Sequence, residues 1–433
     1  RLRKCRKMIL ELLLSNHCGE CTTCDKNGKC KLQELAARFD IHRVRFDNPK
    51  SKPCIDDSSV SITRDANKCI LCGDCVRVCN EVQNVGAIDF AFRGSKMKVA
   101  CSFDKPIGDS NCVGCGQCAA VCPTGAIIIK NDSHRLWKEL NQEDTIAVAQ
   151  VAPAVRVAVA KEFGYNGENV MGKIVAALRR IGFNYIFDTS TAADLTVMEE
   201  SKEFADRLVN GGKLPLFTSC CPAWSVMAKK LFPTLAPYIS MALTPMVLTA
   251  RMLKKDDPDA CIAFIGPCAA KKLEASRRTI RSDVDFVLTF EELMGMFNAK
   301  GVTFEDITDE EKVDLCEGTG DGRGFAVSGG VAKAVADVIH KLDPEREVKV
   351  VSAQGLKDCR KLLTLAKAGK YDGYLLEGMA CPGGCVAGAG TLQAVEKSTA
   401  LVNKYVKDAP LQNSLDSKYE INLDLITESH DDK

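Results

Sequence analysis

The chain has 433 residues, 58 Lys+Arg against 57 Asp+Glu, 46% hydrophobic residues and 23 cysteines, a size that calls for two or three domains with ample core. A formal charge of +1 with interspersed signs removes the main electrostatic reason to propose nucleic acid or an anionic membrane as partner. No apolar run reaches the roughly 18 residues of a membrane span, and residues 1–20 lack the apolar core and cleavage site of a secretory signal. The expectation is therefore a soluble, cytoplasmic protein, although an opening Arg1 instead of Met leaves processing or truncation open. Cysteines bunched at gaps of two and three residues in a long Ala/Val/Leu-rich chain speak for metal ligation over a disulfide scaffold.

Residues 1–48 read as a first domain. Met8 to Leu14 form an apolar helical stretch, and a compact cysteine run leads to a helix-like segment at 31–39. In that run His17, Cys21, Cys24 and Cys30 follow H-x3-C-x2-C-x5-C. Imidazole and thiolate both ligate iron or zinc, so spacing alone leaves a Cys3His zinc site in competition with a 4Fe–4S cluster. The motifs that follow favour a third redox centre. Cys18, adjacent to His17 and out of register, reads as a free thiol.

Pro49, Lys50, Ser51, Lys52 and Pro53 look like a linker, opening a second domain at 49–143. Cys69, Cys72, Cys75 and Cys79 follow C-x2-C-x2-C-x3-C, and Cys112, Cys115, Cys118 and Cys122 repeat it. Each block precedes a short apolar run, residues 86–90 and 125–129, which marks an internal duplication. This spacing lets a loop wrap three thiolates round one cubane while the fourth reaches the other cluster. Cys79 is thus expected to serve the second 4Fe–4S cluster and Cys122 the first. Pro123 follows the second block only; Asn80 stands in its place after the first and removes no ligand.

From residue 144 apolar strands alternate with helical segments, the pattern of an α/β domain with largely parallel sheets. Strand candidates are 145–151, 185–188, 215–218, 261–265, 286–290, 348–351 and 374–376; helix candidates are 170–181, 193–209, 224–231, 291–297, 331–342 and 356–368. Sites in such sheets sit at the carboxyl ends of strands, where three motifs fall: Thr218-Ser219-Cys220-Cys221-Pro222-Ala223-Trp224, Gly266-Pro267-Cys268-Ala269-Ala270-Lys271-Lys272, and Glu377-Gly378-Met379-Ala380-Cys381-Pro382-Gly383-Gly384-Cys385. Five cysteines at one site exceed the four a cubane needs, and a fifth thiol that binds no metal could handle protons.

These motifs, in this order and behind the cluster domains, resemble the iron-only (FeFe) hydrogenases over essentially the whole chain. The resemblance implies an α/β catalytic domain at 144–433, two lobes of sheet flanked by helices around a buried metal cluster, preceded by α+β ferredoxin-like iron–sulfur domains. It implies an H-cluster: a 4Fe–4S cubane held by Cys221, Cys268, Cys381 and Cys385, joined through Cys385 to a di-iron subcluster with CO, CN and a bridging amine dithiolate. Cys220 would pass protons to the amine and Lys271 would donate to a cyanide. Ala152, Pro153, Gly266, Pro267, Met379, Gly329 and Gly330 would contact or pack near the cofactor. Reversible hydrogen chemistry, three accessory 4Fe–4S clusters, a ferredoxin-like electron partner and di-iron maturation enzymes are implied with it.

Glu200, Glu203 and Arg207 lie at i, i+3 and i+7 on one helix face, a spacing that ordinarily gives a solvated ion-paired stripe. Together with Ser240 they match the family's proton relay: Arg207 and Glu203 near the surface, then Ser240, Glu200 and Cys220. Partial burial is expected to raise the pKa of Glu200. The chain also departs from the family pattern. Gly266 stands for a methionine, Met246 for a glutamine, Ala154 for a serine and Ala389 for a glycine, which suggests a divergent subgroup. Cys5, Cys18, Cys54, Cys101, Cys261, Cys316 and Cys359 fit no ligand set and read as small buried apolar groups, with Cys5 alternatively a remnant of a further cluster domain. A phosphate loop at Gly329-Gly330 lacks its lysine. A hydrogen sensor of the same fold tends to lose the proton-carrying cysteine, and an assembly protein of the related eukaryotic type needs neither that cysteine nor the tandem clusters. Both features are present here.

Overall fold

A computed structural model describes residues 1–47, 55–156, 159, 170–277, 282–308, 311 and 317–418; the expected linker at 49–53, Cys54 and Cys316 lie outside them. The chain divides into two compact units, Arg1–Lys130 and Asn131–Lys433. The second unit starts earlier than the expected 143/144 boundary because helix Ser133–Leu140 belongs to it. Leu136 on that helix is fully buried in the second unit's core, and Asp132 before it binds Lys272 Nζ at 3.0 Å and gives its amide to Glu292.

In the first unit the N-terminal helix Leu2–Ser15 buries only Leu10, Glu11 and Ser15, and the Glu11 carboxylate takes a 2.7 Å bond from Arg45. Helix Lys31–Arg38 begins directly after Cys30. The cysteine repeat folds as two copies of one turn. Leu71 N–H and Gly114 N–H each donate to the first thiol of their block at 3.4 Å, and Gly73 and Gly116, left-handed at φ 80° and 75°, each start a one-turn helix carrying the third cysteine. Such φ values are free of strain only for glycine. Strand β1 (Ile62–Arg64) pairs antiparallel with β4 (Ile127–Ile129), and β2 (Asp89–Ala91) with β3 (Lys98–Ala100). Residues 86–88 are not strand, although Ile88 is buried with Ile62, Ile107 and Ile127. The run after the first block meets its partner only from residue 89.

The second unit has two all-parallel sheets among the described residues. One has order β6-β5-β8-β9, from β5 (Ala147–Val151), β6 (Tyr185–Asp188), β8 (Cys261–Ile265) and β9 (Phe286–Leu288). The other has order β10-β11-β7, from β7 (Leu216–Phe217), β10 (Lys349–Gln354) and β11 (Tyr374–Met379). β5 and β8 are buried at every position, which is why they read as continuous apolar runs. Helix Thr189–Asn210 starts four residues before the sequence expectation because Asp188 caps it through Ser190 N–H, so the Thr-Ser-Thr run is a first turn and not a loop. Gly211, left-handed, ends it. Helices Pro245–Asp256, Ala270–Ala275 and Val395–Lys407 were not anticipated from the sequence.

Candidate active site and cluster cages

The site of the second unit is assembled from strand ends. β5 leads into Ala152-Pro153-Ala154, β6 into Thr189, β7 into the Cys220-Cys221 segment, β8 into Gly266-Pro267-Cys268 and β11 into Ala380-Cys381. A cavity of about 80 Å³ lies there, and Cys220, Cys268, Cys385 and Lys271 line it. Cys221 stands behind them: its Sγ accepts Ala380 N–H at 3.4 Å, beside buried Cys381. Burial, then the neighbouring Cys221, pushes the Cys268 thiol up to about 11; Cys385 is raised too, by burial and by Cys268 and Cys221. Cys221, Cys268 and Cys385, all raised by burial, resist ionisation by themselves, and a bound cation inverts that preference. The donor set therefore fits a metal cluster. The loop that presents it also fits: a Cβ on Gly384, at φ 92°, would meet Ser328 N at 2.5 Å.

Of the other expected contacts, Ala152, Pro153, Pro267 and Met379 line the cavity, as do Ala154 and Met246. Gly266, Gly329 and Gly330 do not. A Cβ on Gly266 would meet the Phe264 ring at 2.7 Å, so Phe264, which does line the cavity, fills the space that a side chain at 266 would claim. Gly329 and Gly330 lie one layer back, where Glu377, fully buried, accepts the amides of Gly329 and Ala332 at 2.8 Å. This ties the strand that carries Cys381 to the start of helix Gly330–Leu342. Thr189, Phe264 and Phe325 are lining residues that the sequence reading missed; for the first two, position at or beside a parallel strand's carboxyl end was the available signal.

Lys271 differs from expectation in its partners. Its Nζ donates to Glu274 Oε2 at 2.6 Å, Thr244 Oγ1 at 3.2 Å and the Cys220 carbonyl at 3.5 Å, so all three N–H groups already have protein acceptors. Burial opposes its charge most strongly, but Glu274 together with Cys268 and Cys220 holds the pKa above the ordinary lysine value.

The expected relay residues form a partly bonded line. Arg207 pairs with Glu203 Oε1; Glu203 Oε2 accepts Ser240 Oγ–H at 2.7 Å and Met241 N–H at 3.0 Å. Glu200 is fully buried and neither carboxyl oxygen has a hydrogen-bond partner, although Ser240 and the Ser219 amide lie near enough to moderate it. Burial first, and Glu203 second, raise its pKa to about 8. The Cys220 thiol is pushed well up by burial and then by Glu200, with Lys271 opposing. Both groups are therefore protonated at rest, and the carboxyl of Glu200 can give its proton to the Cys220 sulfur only after that thiol has given up its own.

The first unit contains two cages that interleave the repeated motifs. Cys69, Cys72, Cys75 and Cys122 line one of about 550 Å³, and Cys79, Cys112, Cys115 and Cys118 line one of about 20 Å³. Each block's fourth cysteine thus sits in the other block's cage. Near the first cage, Cys30 Sγ donates to Pro123 O at 3.7 Å, and a Cβ on Gly125 would meet Cys24 Sγ at 2.7 Å. His17 Nδ1 accepts Gly19 N–H at 3.0 Å, and burial, then Lys68, lowers its pKa, which keeps the imidazole neutral and able to ligate.

Residues 145–389 match the C-terminal domain of the iron-only hydrogenase large subunit. The chain belongs to the iron-only hydrogenase family. Residues 6–45 match the iron–sulfur binding region of NADH-ubiquinone oxidoreductase G, and residues 68–126 a 4Fe–4S dicluster domain, so this hydrogenase carries its catalytic domain behind iron–sulfur modules. It is 35% identical to the NADP-reducing hydrogenase subunit HndD of Solidesulfovibrio fructosivorans, over 98% of this chain and 81% of that protein. It superposes on apo [FeFe]-hydrogenase HydA1 from Chlamydomonas reinhardtii with TM-score 0.56 at 26% identity, covering 70% of this chain and 94% of the other. The cytosolic iron-sulfur assembly component 3 of Bos taurus is 28% identical over 66% of this chain and 71% of its own length. Among the described residues no helix is long and apolar enough to cross a membrane.

Proposed function

We propose that this hydrogenase catalyses the reversible reaction 2H⁺ + 2e⁻ ⇌ H₂ at an H-cluster, exchanging electrons with a ferredoxin-like carrier through three accessory 4Fe–4S clusters. The observation that carries this reading is Cys220: a thiol on the cavity that Cys268 and Cys385 also line, next to a buried carboxyl whose pKa is about 8. Cys221, Cys268, Cys381 and Cys385 would hold the cubane, with Cys385 shared with the di-iron group. When bound, that group supplies the centre where protons and electrons combine, and it depends on di-iron maturation enzymes for its delivery. Cys69, Cys72, Cys75 and Cys122 would hold one accessory cluster and Cys79, Cys112, Cys115 and Cys118 the next. His17, Cys21, Cys24 and Cys30 would hold the third.

The chain's own residues supply the proton route. Glu203, charge-paired with Arg207, takes a proton from the surface; Ser240 Oγ, already bonded to Glu203, turns to bridge it to Glu200. Cys220, whose thiol lines the cavity, gives its proton up there; Glu200, held as a neutral acid, then reprotonates the sulfur and is itself reprotonated through Ser240. The reverse order serves hydrogen oxidation. Lys271, fixed by Glu274 and Thr244, keeps a positive charge at the cavity wall, and donation to a cyanide would exchange its longest bond, to the Cys220 carbonyl.

The name of one relative raises a pyridine nucleotide as the ultimate electron acceptor, reached through partner subunits. An assembly role is disfavoured because the assembly relative aligns with 66% of the chain and the hydrogenase relative with 98%. Infrared spectroscopy of anaerobically matured protein, with hydrogen evolution measured on the same sample, tests the proposal. Carbon monoxide and cyanide bands with turnover are expected; their absence after competent maturation would favour the assembly reading.

A further inference from the structure

The hairpin of β2 and β3 and the turn after it expose three phenylalanines, two of them at a cluster cage. Phe103 is 94% exposed, Phe92 61% and Phe90 43%. Two of them stand in left-handed backbone, Phe92 at φ 65° and Phe103 at φ 57°, a conformation that is strained for any bulky side chain. Nothing in the core explains this arrangement, because a ring left in water gains no burial. At Phe92 strain and exposure coincide where the wide cage opens. Phe92 lines it together with Cys69, Cys72, Cys75 and Cys122, and Cys72 is itself exposed. The Phe90 ring lies so close to Gly73, between Cys72 and Cys75, that a Cβ there would meet it at 3.0 Å.

The charges around these rings are unequal. Lys98 is paired with Asp104 and Arg77 with Asp74, whereas the exposed cations Arg93, Lys96 and Lys105 have no carboxylate partner among the described residues. The surface therefore presents an apolar centre, an unpaired basic rim and an iron–sulfur cage immediately beneath.

We propose that this hairpin face is the docking surface for an acidic protein carrier of single electrons, with an apolar patch around its own redox group. A cubane changes charge by one electron, so the occupant is a one-electron centre and not a hydride donor such as a pyridine nucleotide. Basic rim and acidic carrier steer the encounter, and the phenylalanines bury against the carrier's patch. The proposal rests on the hydrogenase reading. Two reduced carriers each lose one electron at this face in succession, and two protons taken up by the relay leave as one H₂; hydrogen oxidation reverses every term.

The test uses the matured full-length protein under anaerobic conditions, with an acidic plant-type 2Fe–2S ferredoxin as probe. Phe103→Asn removes a ring that packs on nothing and suits left-handed backbone; Arg93→Glu with Lys105→Glu reverses the rim. Each is expected to weaken ferredoxin binding, measured by titration calorimetry at low salt, by at least about tenfold, and to raise the KM for ferredoxin while methyl viologen turnover is unchanged. The effect of the charge reversal should fade as salt shortens the Debye length below about 10 Å. Wild-type affinity in both variants, with iron content retained, overturns the proposal, as does a wild-type dimer in sedimentation that Phe103→Asn dissociates. Loss of methyl viologen turnover and of the infrared bands in the wild type would instead strike the hydrogenase reading.

Discussion

The two units solve two different transport problems with visibly different chemistry. The cages of the first unit are made of thiols and backbone amides, with the same amide-to-sulfur bond and the same left-handed glycine in both copies. Among the described residues no run of bonded acids leads to them. The second unit surrounds its thiols with titratable groups, among them the carboxyls of Glu200, raised by burial to about 8, and Glu377, also raised by burial. Electrons tunnel between centres, so a cage needs only distance and ligands. A proton moves by short hops and requires a named acceptor at every step.

Substitutions in one unit should therefore leave the other's traffic intact, and the proton side should show the larger effects. Glu200→Gln is expected to lower hydrogen evolution by about 10² or more, with clusters retained by iron analysis, and to abolish any inflection near pH 8. The stability readout is independent of turnover. Between the ordinary glutamate value of 4.5 and about 8 the unfolded chain has lost the proton and the folded chain keeps it, so this group's contribution to stability falls as pH rises through that window. The melting temperature of the wild type should accordingly fall more steeply from pH 6 to pH 9 than that of Glu200→Gln.

Next in size is Asp194, fully buried, whose carboxylate accepts Thr319 N–H, Gly322 N–H and Ser414 Oγ–H. Asp194→Ala leaves those donors dry and unpaired at about 1–3 kcal/mol each, and denaturation should register a loss of about 3 kcal/mol or more in the second unit. On the electron side, Gly125→Ala places a methyl against Cys24 Sγ. Paramagnetic resonance should then show a weakened signal from the His17 site only, with dye-linked turnover kept; loss of dye-linked turnover would break the separation between the two units. The smallest effect belongs to Lys31→Gln, which removes an exposed pair with Glu34 and should shift stability by less than about 1 kcal/mol.

The sequence was most informative where chemistry is local. Cysteine spacing anticipated the interleaved cages, because the fourth ligand of each block must reach past its own loop, and continuous apolar runs placed β5, β6 and β8 within two residues of their ends. Helix Pro245–Asp256 escaped because its buried face, Met246 to Ala250, is crowded at one end and shows no full period. The partners of Lys271 and the link from Ser240 to Glu203 have no sequence signal, since Ser240 reaches Glu203 across 37 residues. Exposed Phe92 and Phe103 would pass in sequence for core. Their left-handed backbone is visible only in three dimensions.

The claim that one cysteine of the adjacent pair holds metal and the other holds a proton is tested most directly by Cys220→Ser beside Cys221→Ser, with iron content, infrared bands and hydrogen evolution read on each. A serine hydroxyl is far less acidic than a thiol of reference pKa about 8.5, so Cys220→Ser should keep the cubane and the diatomic bands while turnover falls by orders of magnitude. Cys220→Asp should recover part of it, and Cys221→Ser should lose the cluster. Near-normal turnover in Cys220→Ser with intact clusters, or loss of the cubane from that variant, would contradict the account.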